Sequence, residues 1–417
     1  MLFALLAAAL AAGTGDPVVA RADGEAITAA QVTARAEELG LPALAALETT
    51  IRETLLAHAA SAEGLARDPE VRARLEAERR ALAVQQLLEV AVYPSIRATE
   101  SEIEALYHLR ADQVRLSMAA RSTRAEAEAV LTRLRAGGAL LEEARGSPDP
   151  VLQAKSGVLG WVARGELAPA LAQAAFSAPF DTPTGPVPVP KGFAIIVVHD
   201  RELGSDSKMA SQASELRQKV ELSKREPAIE QFLAKLRKRR HARIDSAFLE
   251  RTGDRLDATT EDLERAVATA GTLTVRYADV TGPLRDVGDG TASARASTET
   301  KQQLSRTLLD RKLLEEAAVS RGAHSTPQLV RALRRFERRL LAVAYVRKLA
   351  DAAPGPTDAE VEARYRLLQL DPPRPLAEVR ANVTEQLRRE REQAVVAARL
   401  ARLRAEARVV VDEAVLA

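Results

Sequence analysis

Two stretches of this chain are similar to each other, and their spacing limits the architectures that the chain can adopt. Residues 98–109 read ATESEIEALYHL and residues 356–367 read PTDAEVEARYRL, a displacement of 258 residues that holds without a gap back to Thr54. Further along, Ile244-Asp245 matches Val411-Asp412 at a displacement of only 167 residues. The first copy therefore carries 91 residues that the second lacks, which is enough for a small domain. This pattern predicts one architecture present twice, with a domain inserted into the first copy.

Both copies are predicted to be mainly helical. A strand, turn and strand at residues 18–28 precede two helices, and residues 268–287 repeat this opening. Thr99 with Glu102 and Thr357 with Glu360 form capping boxes at matching helix starts. Each copy closes with a long helix, residues 214–240 or 376–407, followed by a strand at 242–249 or 408–416. We expect each closing helix to pack beside the opening helices of its own copy, because a lone amphipathic helix cannot bury its apolar stripe.

The 91 additional residues have a different character. A strand is predicted at residues 114–118, helices at 123–137, 138–145 and 167–176, and a closing strand at 193–198. Residues 147–160 are rich in turn formers, and residues 180–191 hold four prolines. This order predicts a compact α+β domain.

Four segments follow from these patterns. Residues 18–110 with 205–250 form the first helical module, residues 111–203 the inserted domain, and residues 256–417 the second helical module. Residues 1–12 (MLFALLAAALAA) are apolar and uncharged, and Ala9-Leu10-Ala11 supplies a small-residue cleavage pattern. They are predicted to be a signal peptide, because they are too short to span a bilayer.

Composition excludes several classes of function. The 60 basic residues nearly balance the 58 acidic ones, so a nucleic-acid partner is not expected. The chain has no cysteine, which rules out disulfides, thiolate metal sites and a lipid-modified cysteine anchor. Its five histidines lack metal-ligand spacing. We expect no metal, no cofactor and no stable membrane anchor.

The inserted segment resembles the parvulin-type peptidyl-prolyl isomerases through several ordered motifs. They are SGVLGW at 156–161, RGEL at 164–167, AAF at 174–176, GPV at 185–187 and GFAII at 192–196. The flanking helices resemble the SurA-type periplasmic chaperones, in which helical segments pack around an inserted parvulin domain. The resemblance implies a mainly α fold with an α+β insert. Two repeated helical chaperone-like modules are expected, the first interrupted by a parvulin-like domain.

The resemblance also implies which residues form the site. The two histidines of the family fall at Met118 and Ala194, and His199 is no substitute because it lies five residues from Ala194 and so faces the other side of the strand. The acidic position of the family matches Asp149, the expected catalytic residue, whose alternative role is that of a turn residue between two prolines. The expected substrate-binding residues are Met118, Ala194, Leu159, Leu167, Leu171 and Phe176.

Prolyl isomerisation must overcome amide resonance, a barrier of roughly 18–20 kcal/mol. Apolar residues that hold the ring and polar groups that stabilise the twisted amide lower this barrier. With Met118 and Ala194 in place of histidines, binding is expected to persist while turnover falls. The resemblance thus implies an exported folding factor that binds unfolded or proline-containing polypeptides. The alternatives are a working isomerase that uses Asp149 and a dedicated assembly partner with one binding surface.

Overall fold

The computed structural model describes residues 16–287, 295–368 and 375–412. Within these ranges the chain divides into two units. Residues 88–242 form the continuous unit, and residues 16–87 with 243–412 form the discontinuous unit. The signal peptide predicted at residues 1–12 lies outside the described residues. None of the helices in the described ranges combines the length and the apolar character that a bilayer span needs.

The described elements are named in chain order. The strands are β1 Val18–Ala22, β2 Glu25–Thr28, β3 Gln113–Arg121, β4 Val158–Ala163, β5 Thr184–Val189, β6 Gly192–Glu202, β7 Arg243–Ile244, β8 Ala266–Ala270, β9 Leu273–Arg276 and β10 Val409–Val411. The helices are α1 Ala29–Leu39, α2 Ala43–Ala62, α3 Pro69–Ala91, α4 Glu100–Ala111, α5 Arg124–Arg135, α6 Leu140–Ala144, α7 Pro150–Ala154, α8 Pro169–Ser177, α9 Asp206–Ser223, α10 Arg225–Arg239, α11 Ser246–Arg251, α12 Thr260–Glu264, α13 Tyr277–Val287, α14 Thr298–Ser320, α15 Pro327–Asp351, α16 Asp358–Leu367 and α17 Leu376–Glu406.

Residues 18–111 and residues 266–367 fold into the same order of elements. In both, a β-hairpin is followed by two helices, a short 3-10 turn, a long helix that starts with proline and a further capped helix. The predicted capping boxes are present, since Thr99 accepts a hydrogen bond from the Glu102 N–H and Thr357 accepts one from the Glu360 N–H. The predicted mainly α fold with an α+β region is confirmed.

Each of the two β-hairpins in the discontinuous unit is completed by a third strand. The opening hairpin β1–β2 is completed by β10 from the C-terminal end, with Ala20 opposite Val411. The second hairpin β8–β9 is completed by β7, with Ile244 opposite Ala268. Each hairpin edge would otherwise carry unpaired N–H and C=O groups. Strand β10 thus stabilises the hairpin β1–β2, and strand β7 stabilises the hairpin β8–β9.

The core of the discontinuous unit is formed by helices α2, α15 and α17. Leu56 and Ala60 of α2 pack with Leu341 and Tyr345 of α15, and Leu403 of α17 lies against the same cluster. The expected packing of the second closing helix on its own copy is therefore observed for α17 on α15. The same helix also contacts α2 of the other copy.

The first closing helix differs from the prediction. Residues 214–240 are not one helix, because α9 ends at Ser223 and α10 begins at Arg225. Pro227 lies in the first turn of α10, where its missing N–H costs nothing, whereas within a continuous helix it would break a backbone hydrogen bond. Residues 242–249 are not one strand either, since Asp245 caps α11 by accepting from the Phe248 N–H at 3.0 Å.

In the continuous unit, residues 113–202 contain a four-stranded antiparallel sheet in the order β4-β3-β6-β5. The predicted strands at 114–118 and 193–198 are its two central strands. The two edge strands were not predicted: β4 begins inside the turn-rich segment 147–160, and β5 contains Pro186 and Pro188. Proline is tolerated at a sheet edge because no partner strand needs its N–H there.

Candidate functional site

Met118 and Ala194 lie on the same face of the sheet. In the pairing of β3 with β6, Ala120 is opposite Ala194 and Met118 is opposite Ile196. Side chains two residues apart on a strand share a face, so Met118 and Ala194 occupy diagonal positions on one face. Both belong to one apolar cluster.

The other predicted binding residues join this cluster. Its members from the prediction are Met118, Leu159, Leu167, Leu171, Phe176 and Ala194. Ala194 and Leu171 are buried, whereas the other four are only partly buried and leave apolar surface open to solvent. We call these six residues the apolar patch. The residues come from β3, β4, β6, the 3-10 turn at 164–166 with the residue after it, and α8, so one sheet face and one helix build the patch.

The loop before β4 is tied to β3 beside the patch. Gly157 accepts a hydrogen bond from the Met118 N–H at 2.8 Å, and a Cβ added at Gly157 would lie 2.6 Å from the Met118 carbonyl oxygen. Gly157 also has a φ of 79°, which disfavours any residue with a Cβ. The buried Ser147 hydroxyl accepts from the Ala120 N–H at 3.0 Å. Glycine is thus required at position 157, the first glycine of the SGVLGW motif, because the backbone of Met118 lies so close.

Asp149 is half-buried and caps α7. Its Oδ1 accepts a hydrogen bond from the Val151 N–H at 2.9 Å. This contact is the one expected of a turn residue between two prolines. A catalytic part for Asp149 stays a prediction.

Two arginines flank Phe176. The guanidinium carbon of Arg164 lies 3.7 Å from the centroid of the Phe176 ring, and that of Arg201 lies 6.0 Å from it. Arg201 also donates to the carbonyl oxygens of Ala175 and Ala178, at 3.0 and 2.9 Å. A cation over an aromatic face is attracted by the negative charge density of the ring. One border of the apolar patch is therefore cationic, which the sequence analysis did not predict.

Arg164 is positioned by a buried carboxylate. Asp112 is 2% exposed, and its Oδ2 accepts from Arg164 Nε at 3.0 Å and Nη2 at 2.7 Å. Its Oδ1 accepts from the Gly204 N–H at 3.0 Å and from His108 Nδ1 at 2.9 Å. Burial raises the pKa of the Asp112 carboxyl. The hydrogen bonds from His108, Gly204 and Arg164 together lower it by more, so the pKa lies below its ordinary value.

His199 lies on the face opposite Ala194, as predicted. Val198 packs in the same cluster as Ala194, and the next residue along the strand points the other way. His199 Nδ1 lies 2.9 Å from Asp181 Oδ1, and its Nε2 lies 3.0 Å from the Ser117 hydroxyl. Ser117 is 6% exposed, so its oxygen is shielded from substrates. This chain of hydrogen bonds joins β3 and β6 to the turn before β5.

The described residues contain no cluster of three or more histidines and carboxylates placed to hold a metal ion. At the two positions where the resembled family has histidines, the patch presents a thioether and a methyl group. These two side chains therefore supply no proton donor to an amide.

Comparison with known proteins gives the following matches. Residues 110–200 match the sequence model of the rotamase family, described as a PPIC-type PPIASE domain. No curated protein matches the chain. Among solved structures, a PpiC-type peptidyl-prolyl cis-trans isomerase domain is 26% identical over 24% of this chain and 98% of its own, with a TM-score of 0.22. PrsA from Bacillus anthracis is 19% identical over 43% of this chain and 88% of its own, with a TM-score of 0.27. A SurA-like chaperone from Campylobacter jejuni is 20% identical over 53% of this chain and 96% of its own, with a TM-score of 0.28.

The family match covers β3, β4, β5 and nearly all of β6, together with the helices between them. It therefore includes all six residues of the apolar patch as well as Asp149. The chain carries a PPIC-type parvulin domain of the rotamase family at residues 110–200.

Proposed function

We propose that this protein is an exported folding factor whose parvulin domain binds proline-containing segments and isomerises them slowly. The observation that carries the proposal is the combination of a PPIC-type domain with Met118 and Ala194 on one apolar face. The patch retains a surface for a proline ring, while both family histidine positions are apolar.

The physical reason for slow turnover lies in the transition state. Twisting the prolyl amide removes resonance, so the C–N bond loses its partial double-bond character and the nitrogen becomes pyramidal. Groups that stabilise only this twisted form lower the barrier, whereas apolar contacts that hold both forms equally improve binding alone. Met118 and Ala194 can contribute only contacts of the second kind.

The helical modules supply the second half of the proposal. Their similarity to each other fits an internal repeat, and their sequence resemblance to SurA-type chaperones supports a role in holding unfolded polypeptides. The signal peptide predicted at residues 1–12 supports a role in the periplasm or outside the cell. Unfolded chains expose apolar segments, and a protein that binds them without binding the native state prevents their aggregation.

A protease-coupled peptide assay tests the catalytic half. We expect the full chain to accelerate isomerisation of an Ala-Pro peptide far less than a parvulin that keeps both histidines. Acceleration equal to that of such a parvulin, abolished by Leu167→Asp, would show a working isomerase and contradict the proposal. Asp149→Asn then tests whether that residue carries the activity.

Aggregation assays test the chaperone half. We expect the full chain to suppress aggregation of several unrelated unfolded proteins at stoichiometric concentrations. Suppression limited to a single client would instead indicate a dedicated assembly partner.

A further inference from the structure

A recess lined by arginines lies between α1, α2 and α15 in the discontinuous unit. Its volume is about 190 Å³. It is lined by the guanidinium groups of Arg35, Arg335, Arg338 and Arg339 and by the carboxylates of Glu38 and Glu53. No family resemblance or predicted site involves these residues.

The carboxylates around the recess do not balance its arginines. Arg35 pairs with both Glu38 and Glu53, and Arg339 pairs with Glu38 at 2.5 Å. Arg338 pairs with Glu25 at 3.4 Å.

Within the part of the chain that the structure describes, Arg335 has no ion pair, so the four guanidinium groups that line the recess have three carboxylates as ion-pair partners, those of Glu25, Glu38 and Glu53. The excess is one positive charge.

Hydrogen-bond donors in the recess are also left over. The Nε atoms of Arg35 and Arg338 are buried without an acceptor. The Arg338 side chain is only 10% exposed. Burial lowers the pKa of its guanidinium, and the opposing effect of Glu25 is smaller. Buried donors without acceptors carry a free-energy penalty.

An apolar groove continues from the recess. Its volume is about 660 Å³, and its walls include Leu56 of α2, Val343 and Val346 of α15, and Val396 of α17. The groove and the recess share Arg35, Glu53 and Arg339. The groove, whose lining also includes Arg52 and Glu392, therefore adjoins the cluster of arginines. The 63% exposed Val343 side chain marks the groove as open to solvent.

We propose that the groove binds an apolar polypeptide segment and that the recess binds the carboxylate that follows it. This inference rests on the proposed function, because it names the kind of polypeptide that the helical modules select. A carboxylate carries one negative charge, which equals the excess in the recess, and it accepts the paired donors that arginine presents. The carboxylate is the C-terminal one of the bound segment, and an Asp or Glu side chain in its place is the alternative that the peptides below distinguish.

Three fluorescent peptides with the same apolar sequence test this proposal with the full chain. One has a free C-terminus, the second a C-terminal amide, and the third a C-terminal amide with a Glu as its last residue. Fluorescence anisotropy should show that a carboxylate raises affinity about tenfold over the plain amide, as expected for a charge-assisted hydrogen bond. The first and third peptides together show which carboxylate source the recess accepts.

Two pairs of variants serve as matched tests. Arg335→Gln should abolish the tenfold preference. Arg334→Gln removes the same charge from an exposed position of the same helix, and should leave the preference intact. Val343→Ser should weaken all three peptides equally, whereas Val319→Ser, at a 59% exposed position of α14, should weaken none.

The outcomes separate the two proposals. Equal affinity for all three peptides overturns the carboxylate preference while polypeptide binding stands. Binding of none of them overturns both. An equal effect of Arg334→Gln and Arg335→Gln would mean general charge attraction and would also overturn the inference.

Discussion

Replacing Asp112 by Asn is expected to destabilise the parvulin domain, because the carboxylate holds four donors at once. Two of these come from Arg164, one from the Gly204 N–H and one from His108. An asparagine has one acceptor oxygen, so its amide NH₂ must face one pair of these donors. If the oxygen stays with Arg164, the partly buried Gly204 N–H loses its acceptor.

The cost can be worked out from these contacts. An unsatisfied buried N–H costs about 1–3 kcal/mol, and weakening the hydrogen bonds to the cation adds to this. The side chain of Arg164 is 31% exposed, so water screens its contribution, which we take as no more than about 1 kcal/mol. The free energy of unfolding should therefore fall by about 1–4 kcal/mol.

Urea unfolding followed by tryptophan fluorescence measures this change. The chain has a single tryptophan, Trp161, which lies on β4 three residues before Arg164. Glu142→Gln is the control, since it removes one charge from an exposed position of α6 and should change stability by less than about 0.5 kcal/mol. A loss below that value for Asp112→Asn would refute the role assigned to this carboxylate.

The apolar patch and the buried carboxylate set three other outcomes. Leu171→Ala should lower the free energy of unfolding by about 2–4 kcal/mol, because Leu171 is 5% exposed; Leu141→Ala, at a 46% exposed position, should cost under about 1 kcal/mol. Both are read by the same urea titration, and equal losses would contradict the burial argument. Met118→His combined with Ala194→His should raise isomerase activity beyond the product of the single changes, since groups in one network are non-additive. The second change should cost about 1–3 kcal/mol by overpacking, because Ala194 is fully buried; a double variant no more active than that product would contradict the action of the two positions as one network. The Asp112 carboxyl has a lowered pKa in the folded state, so its stabilisation is complete above the unfolded value near 4 and is lost as the pH falls through the folded pKa. Urea midpoints between pH 5 and pH 2.5 should fall more steeply in the wild type than in Asp112→Asn, and parallel slopes would contradict this assignment.

Strand alternation and motif order were sufficient to predict the apolar patch. Met118 and Ala194 were placed by matching short motifs, and the period of two then put them on the face opposite His199. The sheet register brings them together diagonally and adds Leu159, Leu167 and Phe176. Local sequence carried this information because each residue belongs to a regular element with a strong pattern.

Contacts between distant parts of the chain were not predictable in this way. A strand as short as β7 or β10 has no pattern that selects its partner. The pairing of β10 with β1 and of β7 with β8 could therefore not be inferred. The carboxylate of Asp112 binds groups 52 and 92 residues away, and no local motif marks it. Strand β5 was missed because its prolines favour a turn, and only its edge position makes them acceptable.

The most direct test of the account compares binding and catalysis on one peptide. Exchange NMR on an Ala-Pro peptide gives the cis/trans interconversion rate, and line broadening of the same signals reports binding to the full chain. We predict saturable binding that Leu167→Asp abolishes, with an interconversion rate at least about a hundredfold below that produced by a parvulin with both histidines, in line with the loss of polar stabilisation. Saturable binding accompanied by the full rate of such a parvulin would contradict the account.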